Sequence, residues 1–546
     1  MKEKKLSIKN LTITLPSGAD RENAITNVSL DLYSNEILCI VGESGSGKSM
    51  LANAIMGLLP DGVIASQGEI NFDNDNLLTF SENQMRKIRG ARIGMVFQDP
   101  MTALNPLKTI ENQIGEMFTI HANYSKKVIK QKVIELLTDV QIPNPIAAAK
   151  AYPHQLSGGQ RQRAMIAMAL ALEPSILIAD EPTTALDVTT QACILKLLHQ
   201  LQTLKGSSIL FITHDFGVVA EIATRVAVMQ QGKLVEQGHA NDVLNSPSHP
   251  YTQKLIAAVP PLTPGDVRRI NKEIILKTID VSKTYHNRSL FKYNRRTTHA
   301  VDNVSFQLHK GSTLGIVGES GSGKSTLARC IIKLLDIDSG QIDFDQINIA
   351  SLKGKRLKQY SRHIQMVFQD PYASLNPRRK VGDQVAMGPK LYGTSHHDAL
   401  TKAKELFKLV GLETEALNRY PHEFSGGQRQ RIGLARALAL EPKVLIADEP
   451  VSALDVSVQA QVLELLSQLQ KKLGLTILFI THDLRVAAQI CDHIVVMKSG
   501  KIVEQGIASQ VFLHPKHIYT QNLLDSVPGK DWNPPRLIDM SPAIHI

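Results

Sequence analysis

The 546-residue sequence has four cysteines, one tryptophan and no apolar run longer than nine residues, Ala164 to Leu172. A membrane-crossing helix needs about 18 or more consecutive apolar residues, which excludes a span of that kind. Met1 to Asn10 is charged and lacks the apolar stretch of a secretion signal, so no leader is expected there. Cys39, Cys193, Cys330 and Cys491 lie far apart with no C-x-x-C spacing. That predicts isolated thiols in a reducing cytoplasm, each a small buried core residue, and no metal cluster. Charge of one sign is not in great excess: 61 Lys and Arg against 51 Asp and Glu leave a net +10. A mildly basic chain suits nucleic acid or an anionic membrane surface without choosing between them. With 43% hydrophobic and 21% charged residues, the composition is globular and excludes disordered, collagen-like and coiled-coil chains. The length fits three or four average domains, or two larger ones.

What the sequence does contain, it contains twice. Gly42-Glu-Ser-Gly-Ser-Gly-Lys-Ser49 recurs as Gly318-Glu-Ser-Gly-Ser-Gly-Lys-Ser325, and Met95-Val-Phe-Gln-Asp-Pro100 as Met366-Val-Phe-Gln-Asp-Pro371. Ser157-Gly-Gly-Gln-Arg-Gln-Arg163 recurs as Ser425 to Arg431, Ile178-Ala-Asp-Glu-Pro182 as Ile446 to Pro450, and Phe211-Ile-Thr-His-Asp215 as Phe479 to Asp483. The offset is 276 at Lys48/Lys324 and 271 at Gln98/Gln369, then settles at 268 from Ser157/Ser425 onward. Length differences therefore fall early in each copy, where loops tolerate insertions. The expected organisation is one domain over 1–260, a linker over 261–274 broken by Pro260, Pro261, Pro264 and Gly265, a second domain over 275–528, and a tail over 529–546. Ile37 to Val41, Ile176 to Ala179 and Ile209 to Ile212 read as buried parallel strands, each followed by a helical pattern. Strands alternating with helices predict an α/β sheet covered on both faces, with a helical part over about Pro100 to Leu156.

The repeated motifs carry phosphate chemistry. G-x-x-x-x-G-K-[ST] between a strand and a helix lets backbone N–H groups wrap phosphate oxygens: Gly42, Ser44, Gly45 and Gly47 in the first copy, Gly318, Ser320, Gly321 and Gly323 in the second. Lys48 and Lys324 would reach the β- and γ-phosphates, and Ser49 and Ser325 would ligate Mg²⁺. The pattern is expected by chance roughly 0.02 times in a chain of this size, so two occurrences are informative. Asp180 and Asp448 end apolar strands at the same sheet edge and can hold Mg²⁺, while Glu181 and Glu449 can polarise an attacking water as general bases. Gln98 and Gln369 can contact both the metal and that water. His214 and His482 each follow the acidic Glu by 33 residues and are assigned to the γ-phosphate. Ser157 with Gly159, and Ser425 with Gly427, form a helix N-cap able to bind an anion. Such a site is redundant within one copy and useful if it meets the γ-phosphate held by the other.

This set closely resembles the nucleotide-binding domains of ABC ATPases, over nearly the whole chain. The resemblance includes the segments Ala185-Leu-Asp187 and Ala453-Leu-Asp455. It implies two tandem P-loop ATPase domains, each with a RecA-like parallel-sheet core, an antiparallel β subdomain and a helical subdomain. It also implies ATP and Mg²⁺ as cofactors and a head-to-tail arrangement. Site one would pair Lys48, Ser49, Gln98, Asp180, Glu181 and His214 with Ser425 and Gly427. Site two would pair Lys324, Ser325, Gln369, Asp448, Glu449 and His482 with Ser157 and Gly159. Neither copy has lost a catalytic residue, so both sites are expected to hydrolyse ATP. One departure stands out. The family stacks adenine on an aromatic ahead of the first long strand; Tyr285 fits this in the second copy, and aligning Asn10 with Asp280 puts Leu15 there in the first. Base stacking is worth roughly 1–3 kcal/mol, so site one is expected to bind ATP about 5- to 100-fold more weakly.

Finer motifs resemble the peptide/nickel importer branch. Gln98-Asp-Pro…Leu104-Asn-Pro106 and Gln369-Asp-Pro…Leu375-Asn-Pro377 are similar to its post-glutamine segment; His249-Pro-Tyr-Thr252 and the looser His517-Ile-Tyr-Thr520 are similar to its closing motif. Fused domains resemble microcin C (Yej-type) and glutathione importers, and the length is most similar to the Yej type. Many members hold an iron–sulfur cluster after the closing motif; Pro260 to Asn271 has no cysteine, so none is expected. The resemblance implies two membrane permease subunits and a solute-binding protein as partners, no nucleic acid, and peripheral attachment at the cytoplasmic face of the inner membrane. A twin ATPase acting on the ribosome would carry a long charged helical linker, and this linker is short and proline-rich. The basic insert from His286 to His299 is read as a solvated hairpin loop, with contact to permease or lipid headgroups as the alternative.

Overall fold

In a computed structural model of the chain, residues 3–183, 186–265, 271–286, 297–370, 374–452 and 454–535 are described. The Ala185 and Ala453 positions, residues 287–296 of the basic insert, residues 266–270 of the linker and the end of the tail lie outside them. The chain divides into two compact units: Met1–Leu186 with Thr190–Val259 and Pro528–Ile546, and Asp187–Thr189 with Pro260–Val527.

In the first unit, the five-residue runs Ile37–Val41, Ile176–Asp180 and Ser208–Ile212 are buried at every position. β-Branched and aliphatic residues shielded on both faces are what a central parallel strand requires. They lie in a six-stranded sheet ordered Lys233–His239, Arg225–Gln230, Ile37–Val41, Ser208–Ile212, Ile176–Asp180, Ile93–Val96. All neighbours are parallel except the first two, which form an antiparallel edge pair. The core of the sheet is parallel, as expected, and one antiparallel strand is added at its edge. A second, four-stranded antiparallel sheet is built on Lys4–Thr14, flanked by Asn23–Tyr33 and Ile64–Phe72. Its alternating pattern buries one face.

The span after Pro100 is helical, as expected. Ile110–His121 is capped by Thr109 and buries Ile110, Ile114 and Phe118, spaced four apart on one face. Lys126–Asp139 is capped by Ser125 and buries Val133 and Leu137. The second unit repeats the plan, with sheets ordered Thr297–His309, Ile274–His286, Ser339–Phe344, Ile347–Asn348 and Ile364–Val367, Val444–Asp448, Thr476–Thr481, Thr313–Val317, His493–Lys498, Lys501–Ile507. Cys39, Cys330 and Cys491 are buried, but Cys193 is exposed, on the outer side of the helix Val188–Lys205. Among the described residues no helix is long and apolar enough to cross a membrane.

Candidate active site

Each glycine-rich turn connects a buried strand to a helix that begins at its lysine, Lys48–Ile55 and Lys324–Ile331. Backbone crowding explains two of the glycines in each turn, Gly42 and Gly47 in the first and Gly318 and Gly323 in the second. Gly42 has φ +154°, and a Cβ there would lie 2.2 Å from the Met229 carbonyl oxygen; Gly318 has φ +149°, with Met497 O at 2.2 Å. Gly323 has φ +104° and would meet Ala300 O at 2.0 Å. The loop therefore lies against the neighbouring strand with no room for a side chain. Lys48 is buried, and its ammonium donates to Gly42 O at 2.7 Å, Glu43 O at 2.9 Å and Ser46 Oγ at 3.4 Å. Lys324 makes the same three contacts at 2.7, 2.9 and 3.5 Å. The loop's own oxygens thus hold the cation where it can pass to phosphate oxygens.

The acidic pair closes over this loop. Ser49 Oγ donates to Asp180 Oδ1 at 3.0 Å, and Ser325 Oγ to Asp448 Oδ1 at 3.1 Å. Gln98 Nε2 donates to Glu181 Oε2 at 3.0 Å, and Gln369 Nε2 to Glu449 Oε2 at 2.6 Å. The other Glu oxygen faces histidine: His214 Nδ1 lies 3.3 Å from Glu181 Oε1, and His482 Nδ1 lies 3.1 Å from Glu449 Oε1. Both glutamates have φ +47°. A left-handed non-glycine residue costs roughly 1–2 kcal/mol. Its repetition at the same position in both units marks a conformation set by the site and not by local preference.

Burial pushes the Asp180 carboxyl up to about 6, helped by the Glu181 charge and opposed by Ser49 and Lys48. Asp448 is raised for the same leading reason. Burial alone would raise Glu449, but the hydrogen bond and charge of His482 outweigh it and hold Glu449 below its ordinary value. Burial works against a charged His482, yet the hydrogen bond and charge of Glu449 hold the imidazole above its ordinary value. The His contribution to stability is present below the unfolded value near 6.5 and is lost as pH rises through the raised value. The Glu contribution is present above the unfolded value near 4.3 and is lost as pH falls through the lowered value. The pair therefore stabilises the second unit most between about pH 4.3 and 6.5. A His482→Gln chain without nucleotide should lose most melting temperature relative to the parent near pH 5.5 and least near pH 9. A deficit that stays flat with pH would contradict this account.

Within each unit the structure thus gathers the phosphate loop with Ser49, Gln98, Asp180, Glu181 and His214, or with Ser325, Gln369, Asp448, Glu449 and His482. Ser157, Gly159, Ser425 and Gly427 sit elsewhere, at the starts of Gly158–Leu170 and Gly426–Leu438. There Ser157 Oγ accepts from Gln160 N, and Ser425 Oγ from Gln428 N, both at 3.3 Å. A Cβ on Gly427 would lie 2.3 Å from Val458 Cγ1, so the second glycine allows close helix packing. Tyr285 is 42% exposed on the strand Ile274–His286, whereas Leu15 is half-buried against the core of its unit. Asn10 and Asp280 share a left-handed backbone, φ 49° and 47°, which supports the alignment that pairs Leu15 with Tyr285. Sequence reasoning missed Arg21. From the loop between Lys4–Thr14 and Asn23–Tyr33, its Nη2 donates to Gly45 O at 2.7 Å and holds the outer side of the first phosphate loop. Nothing in the pattern of that polar turn singles the arginine out.

A phosphate loop facing a buried Asp and its adjoining Glu at the end of another parallel strand of the same sheet, one strand removed from the one that feeds the loop, defines a P-loop nucleoside triphosphatase. Comparison with known proteins narrows the class. The ABC transporter family pattern matches residues 25–184 and 301–452, and the pattern of the oligopeptide/dipeptide transporter C-terminal region matches 235–293 and 503–539. The chain is 46% identical to the peptidoglycan transport ATP-binding protein YejF of Agrobacterium fabrum, over 95% of each chain. It is 45% identical to the glutathione import ATP-binding protein GsiA of Salmonella paratyphi A, over 96% of this chain and 90% of that one. Among solved structures, a dimeric ATP-binding cassette bound to ADP and Pi is 30% identical, covers 43% of this chain and 99% of its own, and has a TM-score of 0.39. The chain belongs to the ABC transporter family, as an ATP-binding subunit with two fused ATPase domains.

Proposed function

We propose that this chain is the ATP-hydrolysing subunit of an importer for peptides or peptide-like solutes, with domains over 1–260 and 275–528. The observation that carries the reading is that both units hold a complete hydrolytic set with matching Ser–Asp, Gln–Glu and His–Glu contacts, in a chain that also has the oligopeptide/dipeptide transporter region twice. The two relatives are named for glutathione, a tripeptide, and for peptidoglycan, which carries peptide stems. A peptide-bearing solute is the class they share.

Within each site, Lys48 and Lys324 take the phosphates, and Glu181 and Glu449 draw the proton from the attacking water. His214 and His482 orient the glutamate and meet the γ-phosphate. Ser157 with Gly159 and Ser425 with Gly427 complete the opposite site through their helix N-termini. Tyr285 takes the base in the second site. Ser49, Gln98 and Asp180, and Ser325, Gln369 and Asp448, would hold Mg²⁺. A buried carboxylate whose neighbour is one hydroxyl, and whose proton affinity is raised by burial, suits a divalent cation. When bound, Mg²⁺ supplies Lewis-acid polarisation of phosphoryl oxygens. Two permease subunits and a solute-binding protein complete the assembly, with this chain attached peripherally at the cytoplasmic face of the inner membrane.

Fractionating native-host lysate that carries the tagged full chain tests the reading. Recovery in the membrane pellet together with two polytopic proteins is the expected result. Co-sedimentation with ribosomes, with membranes left clean, would overturn it.

A further inference from the structure

The closing motif His249-Pro-Tyr-Thr252 has no place in the hydrolytic scheme, yet it reaches the phosphate loop. Glu236, on the strand Lys233–His239, accepts from Ser248 N and Oγ at 2.7 Å and from His249 N at 3.1 Å. His249 Nδ1 then accepts from Tyr251 N at 3.2 Å and caps the helix Pro250–Ala257, with Pro250 in its first turn. These contacts fix the direction of the Tyr251 side chain, which is 8% exposed. Its hydroxyl accepts from the Glu43 backbone N–H at 3.1 Å and donates to Glu43 Oε2 at 3.3 Å.

The second unit repeats the chain of contacts independently. Glu504 accepts from Lys516 N at 2.8 Å and His517 N at 3.0 Å, and His517 Nδ1 accepts from Tyr519 N at 3.0 Å. The Tyr519 hydroxyl accepts from Glu319 N at 3.2 Å, with the ring 4% exposed and Lys498 Nζ 4.5 Å from its centroid. Burial pushes the Tyr519 phenol up to about 12, so it keeps its proton. The looser second motif changes only the proline, to Ile518, and keeps the histidine and tyrosine that make these bonds.

We propose that the Tyr251 and Tyr519 hydroxyls are positioning residues of the two nucleotide sites, each clamping the first peptide of a phosphate loop to the closing helix and so preshaping the loop for phosphate. Glu43 and Glu319 follow glycines at φ +154° and +149°, where the chain leaves the strand and reverses into the loop. A hydroxyl holding the next N–H fixes that reversal before a ligand arrives. Without it, nucleotide binding has to order the turn.

The inference rests on nucleotide occupying these loops, which ADP titration of the parent chain establishes separately. The test uses the full chain with one site disabled. With Lys324→Ala, which leaves site one, Tyr251→Phe should weaken ADP binding about 3- to 10-fold, the equivalent of one hydrogen bond. With Lys48→Ala, Tyr519→Phe should do the same at site two. In the crossed chain, Tyr251→Phe with Lys48→Ala, ADP affinity should equal that of Lys48→Ala alone. The phenylalanine keeps the buried ring, so the melting temperature without nucleotide checks that the fold is intact. Unchanged affinity in the matched chains, or an equal loss in the crossed chain, would overturn the proposal.

Discussion

A chain carrying Glu181→Gln and Glu449→Gln should turn over ATP at least about 100-fold more slowly than the parent, because general-base catalysis contributes roughly 10²–10⁴-fold. The substitution keeps shape and hydrogen-bonding reach but removes the negative charge that draws a proton from water. It also removes the anion opposite His214 and His482, at 3.3 and 3.1 Å. The phosphate loops are untouched, so ATP titration should still give binding at both sites. Phosphate release in steady state measures the loss. Each single variant should keep measurable turnover, because each unit holds its own Ser–Asp and Gln–Glu contacts. A double variant retaining more than about a tenth of parental turnover would place the base elsewhere.

The two sites should also differ in affinity. In chains with one lysine removed, the site left by Lys48→Ala should bind ADP about 5- to 100-fold more tightly than the site left by Lys324→Ala, the range that base stacking supplies. Tyr285 is exposed and free to receive a base, while Leu15 is turned into the core of its unit and offers no ring. Arg21 braces the first loop through Gly45. Adding Tyr285→Ala to the Lys48→Ala chain should bring the two affinities together. Equal affinities in the starting pair would remove the asymmetry.

The second glycine-rich turn illustrates how local chemistry and tertiary packing divide the work. Gly321, at φ +78°, has nothing within 4 Å of an added Cβ, so only backbone conformation asks for glycine there. Gly318 and Gly323 are excluded from bearing a side chain by carbonyls of Met497 and Ala300, which belong to other strands. A motif reader sees three equivalent glycines. Only the fold separates the conformational one from the two forced by contact.

By itself the sequence determined the duplication, the short buried strands, the helical span after Pro100 and the Ser, Gln, Asp, Glu and His that gather at each glycine-rich turn. These are local properties: aliphatic runs, cap residues and glycine spacing act over a few residues, so they are legible without a fold. The tertiary structure alone decided the rest. The antiparallel edge strand Lys233–His239 depends on which neighbour pairs with Arg225–Gln230, and an apolar pattern does not encode direction. The left-handed backbone at Glu181 and Glu449 is imposed by the surrounding site, against the preference of glutamate. Arg21 lies 24 residues from Gly45, and Tyr251 lies 208 residues from Glu43. Such contacts form only after strands from distant parts of the chain have docked, because a hydrogen bond reports distance in space and the sequence records only distance along the chain.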